Sequence, residues 1–296
     1  MALSGGFQFS QASLQDYVDC PRRFQLRYLL RLDWPAPESE PALESERHMR
    51  QGMTFHRLVH QYMLGIAPER LSGVVEGDDL RRWWHNFLTT LPPVLAAGMT
   101  HHPQMTRHLS MTYYPEITLS APLGRHRLVA KYDLVAVRAG EQVDVPQGTI
   151  VDWKTSRRRP RRKWLAERLQ TRVYPYLLVR AGAHLNAGTQ FQPEQVEMAY
   201  WFADFPNQLA HFSYDVHRYE EDEVHLVSLV EEIENLGKDE DFPLTARERR
   251  CTYCRYRSLC RRGVKGGPLD KMEAEPDVGD DFDSILDLEQ VAEIEY

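Results

Sequence analysis

The chain has 296 residues, 42% of them hydrophobic and 27% charged, enough to bury a sizeable core in one large domain or two small ones. No apolar run approaches the roughly 18 residues that span a bilayer, and Met1-Ala-Leu-Ser-Gly-Gly lacks a basic segment followed by an apolar one, so a cytoplasmic protein without a membrane partner is expected. The net charge of -7 misleads, because residues 270 to 296 carry eleven acids and one Lys, a contribution of -10, which leaves residues 1 to 269 at +3.

Residues 10 to 31, SQASLQDYVDCPRRFQLRYLLR, read as two short helices broken at Pro21, with Ser10 or Ser13 as N-cap and Cys20 at the break. A Pro-, Glu- and Ser-rich link over 35–46 leads to an amphipathic helix over 48–64 that carries His56 and His60. Residues 79–97 read as helix up to Pro92-Pro93, inside a Trp- and His-rich helical insertion at 65–110. Strand patterns at 111–119, 125–137 and 149–155 predict a meander. A helix over 163–179, strands near 195–203 and 209–216, an acidic amphipathic helix near 219–236 and a Cys-rich segment follow. The tail from 270 has the composition of a disordered segment, with Ile285, Leu286, Leu288, Val291 and Ile294 placed to form a short helix on a partner.

Asp133 lies in the strand pattern LVAKYDLVAV, and Asp152-Trp153-Lys154 lies in TIVDWKTS nineteen residues later. Neighbouring strands bring both carboxylates to one edge, and alternation puts Asp152 and Lys154 on one face with Trp153 on the other. Two carboxylates holding a divalent cation beside an ammonium suit phosphodiester hydrolysis. A cation held there would supply Lewis acidity to the phosphate and to a water, while the Lys would steady the attacking water and the growing negative charge. Taken singly, such features are ordinary. Acids and Lys at strand ends are usually solvated, a lone helical His is usually surface or core, and a Gln170/Tyr174 pair at i and i+4 is usually packing.

Four Cys occur, three of them as Cys251-x2-Cys254-x5-Cys260 and the fourth at Cys20. The pattern suits four thiolates around a cubane cluster or a tetrahedral Zn2+ better than a disulfide framework, and spacing does not separate the two metals. Arg157, Arg158, Arg159, Arg161, Arg162 and Lys163 follow the DxK strand, and Arg247, Arg249, Arg250, Arg255, Arg257, Arg261 and Arg262 surround the cysteines. Runs of this kind are usually solvated loops, but beside a phosphodiesterase site they form a nucleic-acid-binding track, with Tyr253 and Tyr256 available for stacking or for core packing.

Taken together and in this order, Gly52-x3-His56, Asp133, Asp152-x-Lys154 and Gln170-x3-Tyr174 resemble the RecB-like PD-(D/E)XK nuclease family, over residues 10 to about 262. Cys20 in its CPRRF context, with the C-x2-C-x5-C segment, resembles the iron-sulfur members of that family, which include exonucleases of recombination repair and CRISPR adaptation. The resemblance implies an α/β restriction-endonuclease-like core, with a central mixed sheet flanked by helices, a helical insertion and an iron-sulfur-stapled C-terminal subregion. It implies His56, Asp133, Asp152 and the Trp153 carbonyl as ligands of Mg2+ or Mn2+, Lys154 as the catalytic Lys, and Gln170 and Tyr174 lining the site. Cys20, Cys251, Cys254 and Cys260 would hold a 4Fe-4S cluster, with Zn2+ as the alternative. Ala130 stands where the family often has Gly, and Pro175 is expected to interrupt the QxxxY helix.

The domain expectation is a nuclease domain over 1–269, containing the insertion at 65–110 and a cluster-binding segment at 247–262, followed by an acidic tail at 270–296. The implied activity is a metal-dependent deoxyribonuclease, an exonuclease on single-stranded DNA or DNA ends in repair, recombination or defence. A helicase or CRISPR adaptation partner would engage the tail. The alternatives are a non-catalytic DNA-binding accessory subunit and a zinc-stapled protein-interaction module.

Overall fold

A computed structural model describes residues 3, 6–32, 40–90, 111–138, 147–236, 242–252 and 254–263, with the backbone alone at 40–46. The acidic tail, residues 91–110 and Tyr253 lie outside the described residues.

The organising strand is β3 (His126–Arg138), rich in Val, Leu, Ala and Tyr. Along one edge it pairs antiparallel with β2 (Met111–Leu123), from Met111↔Arg138 to Leu123↔His126, across a two-residue turn where Gly124 takes φ 59. Along its other edge it pairs in parallel with β1 (Gln8–Phe9), and then antiparallel with β4 (Gly148–Lys154) from Leu134↔Val151 to Val137↔Gly148. β4 runs parallel to β5 (Val196–Phe202), which pairs antiparallel with β6 (Ala210–Ser213). The predicted meander is therefore β2-β3-β4, and the parallel β4/β5 pair makes the sheet mixed, with the helical crossover that such a pair requires. Every residue of β4 is buried, as a strand covered on both faces must be.

One face carries α1 (Gln11–Asp19), α7 (Leu169–Ala181) and α8 (Val216–Leu236), with Leu14, Val173, Leu177 and Leu226 packed on Tyr132, Val135, Ile150 and Met198. The other face carries α3 (Glu40–Met63), α4 (Pro68–Ser72) and α5 (Asp78–Thr89), with Phe55, Trp83 and Phe87 packed on Leu134, Val151, Trp153 and Trp201. The aromatic residues of 65–90 thus supply the second half of the core.

At the N-terminus the expected cap forms. Ser10 accepts from the Ser13 backbone N–H at 3.1 Å and donates its own backbone N–H to the Ser13 hydroxyl at 2.9 Å, a reciprocal capping box. Cys20 is extended, Pro21 opens α2 (Pro21–Phe24), and a π-helical turn over Gln25–Leu29 continues it.

Three expectations are corrected. The link expected at 35–46 is helical from Glu40, because Pro41 sits in a first turn where its missing N–H costs nothing. The single helix expected over 163–179 is two helices, α6 (Arg162–Glu167) and α7, parted at the extended Arg168. Pro175 does not interrupt α7, which runs through it to Ala181. Among the described residues no helix is long and apolar enough to cross a membrane.

Candidate active site

The site lies where β3 and β4 fork. Their ladder ends at Leu134↔Val151, while β4 continues beside β5 to Lys154↔Phe202. Asp133 fills the opening, its Oδ2 accepting the Trp153 backbone N–H at 2.8 Å. Its Oδ1 lies 3.1 Å from Nδ1 of His56, delivered by α3. Sequence reasoning placed His56, Asp133 and the Trp153 carbonyl together; His56 and Asp133 meet here, and the Trp153 group that touches Asp133 is its N–H. The Trp153 indole points into the opposite aromatic layer, edge-on to Phe87 and Trp201.

Asp152 and Lys154 share the other face. Lys154 Nζ is 3.0 Å from Asp152 Oδ2 and donates to Gln170 Oε1 at 3.0 Å, and Gln170 Nε2 donates to Asp152 Oδ1 at 2.6 Å. The amide of Gln170 thus bridges the DxK acid and its Lys. Tyr174, one turn along α7, donates its hydroxyl to the Lys131 carbonyl at 2.9 Å, tying α7 to the edge of β3 that β4 has left. The sequence motifs therefore converge, with Tyr174 acting through its backbone tie.

Sequence reasoning missed Glu116. In β2 it stands opposite Asp133, between the pairs Pro115↔Leu134 and Ile117↔Tyr132, and its φ of 54 lies in the left-handed region. A non-glycine residue there costs about 1–3 kcal/mol and persists where its surroundings hold it. Glu116 Oε2 is 2.5 Å from Lys131 Nζ. One donor atom from each of His56, Glu116 and Asp133 lies within 4.8 Å of the others, so the three can close on one ion. The available signal was an acid following Pro115 inside a strand otherwise apolar, aromatic or hydroxylated. Asp152 is adjacent but outside that group, its oxygens engaged by Gln170 and Lys154.

Burial alone would push the His56 imidazolium down, but the Asp133 carboxylate and its hydrogen bond outweigh burial, and the pKa is raised to about 9. Burial would push Asp133 up, yet His56, the Trp153 N–H and Lys154 hold it below the usual carboxylate range. Oxygen donors with one imidazole are the chemistry of Mg2+ or Mn2+, and the donor set fits such an ion.

The cysteines converge from both ends of the chain. Cys20 follows α1, and Arg22 donates its backbone N–H to the Pro243 carbonyl at 3.1 Å, laying the C-terminal segment on the N-terminal helices. Burial pushes the Cys251 thiol up, with Cys20 and Cys260 adding to it, so these three sulfurs sense one another.

The basic residues divide. Arg158, Arg161, Arg162 and Lys163 are exposed beside the DxK strand. Arg159 donates to the Gln208 carbonyl at 3.2 Å, Arg162 donates to the His211 carbonyl at 2.6 Å with its guanidinium 4.6 Å from the Phe212 ring centre, and Arg157 lies 3.9 Å from Asp79. Near the cysteines the expected track loses two members, because Arg250 and Arg257 are buried, pairing with Asp19 and with the Cys254 carbonyl, whereas Arg247, Arg249 and Arg261 are exposed. Tyr256 is likewise no stacking surface. It is buried, and its hydroxyl donates to the Leu32 carbonyl at 2.8 Å.

A mixed sheet between helical layers, with a DxK motif at a strand fork beside a His and two further carboxylates, defines the class of restriction-endonuclease-like phosphodiesterases. The chain belongs to the PD-(D/E)XK nuclease superfamily, whose family model matches residues 8–261. It is similar to a solved structure from Eubacterium rectale, provisionally designated an exonuclease, at 12% identity over 90% of this chain and 91% of that one, with a TM-score of 0.46. Among curated proteins, none matches the sequence.

Proposed function

We propose that the protein is a metal-dependent DNA nuclease of the RecB-like kind, an exonuclease acting on single-stranded DNA or DNA ends. The observation that carries this reading is the fork: His56, Glu116 and Asp133 offer donors to one cation within 4.8 Å of each other, beside the Asp152/Lys154/Gln170 cluster. A bound Mg2+ or Mn2+ would be held by His56, Asp133, Asp152 and the Trp153 carbonyl, with Glu116 as a further donor, and would supply Lewis acidity to the phosphate and to a water. The chain's own part is positional. Gln170 holds the Lys154 ammonium against Asp152, where it steadies the attacking water and the charge that grows on phosphate. Tyr174 fixes α7 to β3, and exposed Arg158, Arg161, Arg162 and Lys163 guide the backbone of the substrate, Arg162 from its anchor on the His211 carbonyl and the Phe212 ring.

We further assign a 4Fe-4S cluster to Cys20, Cys251, Cys254 and Cys260. What supports a shared site is that Cys20 and Cys260 lie near enough to Cys251 to raise its pKa. Four thiolates suit a cubane cluster or a tetrahedral Zn2+ alike, and the resemblance to iron-sulfur members of the family puts the cluster first. The acidic tail, outside the described residues, is the segment we assign to a helicase or CRISPR adaptation partner.

Labelled single- and double-stranded DNA incubated with Mg2+ or Mn2+ tests the activity. Wild type should cut, and Asp133→Ala and Lys154→Ala should bind without cutting. Equal cutting by the variants would refute the assignment. Anaerobically purified protein should be brown with broad visible absorption and contain iron, and a colourless protein containing only zinc would replace the cluster by the zinc alternative.

A further inference from the structure

Resting on the nuclease reading, we propose that Gln15 is a positioning residue for the nuclease centre, through which the cysteine-bearing segment holds α7 and its Gln170 in place. Gln15 is buried on α1 and bridges two elements with its amide. Its Oε1 accepts the backbone N–H of Leu169 at 3.1 Å, and its Nε2 donates to Asp19 Oδ1 at 2.9 Å. Leu169 opens α7, and Arg168 before it supplies no side-chain cap. The acceptor that a helix start requires therefore comes from a different helix.

The residue after Leu169 is Gln170, whose amide joins Asp152 to Lys154. On the far side, Asp19 pairs with Arg250, and these two residues immediately precede Cys20 and Cys251. Arg23 reinforces the joint, lying 2.8 Å from Asp16 and 3.1 Å from Asp19, and Arg27 adds a contact to Asp16 at 3.0 Å. Cys251, Arg250, Asp19, Gln15, Leu169, Gln170 and Lys154 thus form one unbroken run of covalent and polar links. Only an uncharged side chain that both donates and accepts serves at its midpoint. Glutamate would set a second anion against Asp19, and methionine would fill the space without making either bond.

The test uses the full chain, a fluorescein-labelled single-stranded oligonucleotide and Mn2+. Gln15→Met should lower kcat about tenfold or more, as loss of an orienting partner does, with KM and the metal content of the cysteine site unchanged. The double variant Gln15→Met/Gln170→Met should be no slower than Gln170→Met alone, because coupled residues do not add. A Gln15→Met protein that melts earlier yet turns over at the wild-type rate overturns the inference, as does a double variant whose losses multiply. If Gln15→Met does not fold, Gln15→Asn takes its place, keeping the amide but falling short of Leu169. Wild type that cuts no better than Lys154→Ala sinks the nuclease reading and this inference with it, whereas active wild type with an unaffected Gln15 variant sinks this inference alone.

Discussion

At Asp133 a single carboxylate closes a strand fork and faces an imidazole, so two kinds of experiment meet on one residue pair. The His56 pKa is raised from 6.5 to about 9 in the folded protein. Its pairing with Asp133 therefore contributes stability fully below about 6.5, and that contribution is lost as pH rises through about 9. With chelator present, His56→Gln should melt below wild type by the widest margin on the acid side, and the margin should shrink across that interval. A constant margin would mean that the imidazolium is not the stabilising form. Glu116 presents the opposite trade. Its φ of 54 suits glycine better than glutamate, and its ion pair with Lys131 is partly solvated. Glu116→Gly should raise stability by about 1 kcal/mol in chemical denaturation while weakening Mn2+ binding, measured by calorimetry.

Among the elements, α5 places Trp83, Trp84 and Phe87 in one buried cluster, with Phe87 edge-on to Trp153 at 5.6 Å between ring centres. Since the Trp153 backbone N–H holds Asp133, this layer braces the site from behind. Phe87→Ala should cost about 3–5 kcal/mol in urea titrations, the usual effect of truncating a buried aromatic. A loss below 1 kcal/mol, on the order of an exposed substitution, would mean that the layer is not core. This packing explains what was legible in the sequence. The alternating strand residues around Asp133 and the Asp152-x-Lys154 spacing are local, so β3, β4 and the motif face could be read directly. The Trp-rich segment could not, because which sheet face it covers is a long-range matter. Glu116 stayed hidden for the same reason: it faces Asp133 only once the β2/β3 register is set, and its backbone reversal leaves no mark in composition. Arg250 read as surface charge, since nothing nearby in sequence announces that Asp19 buries it.

For the molecule as a whole, charge and fold work at different ranges. Residues 1 to 269 carry +3 and the segment from 270 carries -10, so net charge repels nucleic acid, and binding must come from a local surface. Exposed Arg158, Arg161, Arg162 and Lys163 lie on the segment that follows the DxK strand, within one crossover of Gln170. If these four displace counterions from a single strand, log association constant against log salt should fall with a slope of about -3, at about 0.7 per phosphate. Arg158→Ala/Arg161→Ala should roughly halve that slope and weaken binding alike for all sequences, since phosphate contacts carry no base information. Fluorescence anisotropy on the Lys154→Ala background, where strands should stay intact, reads both effects. A slope unchanged by the double substitution would move the binding surface elsewhere, and Arg250 and Arg257, already committed to Asp19 and the Cys254 carbonyl, would not supply it.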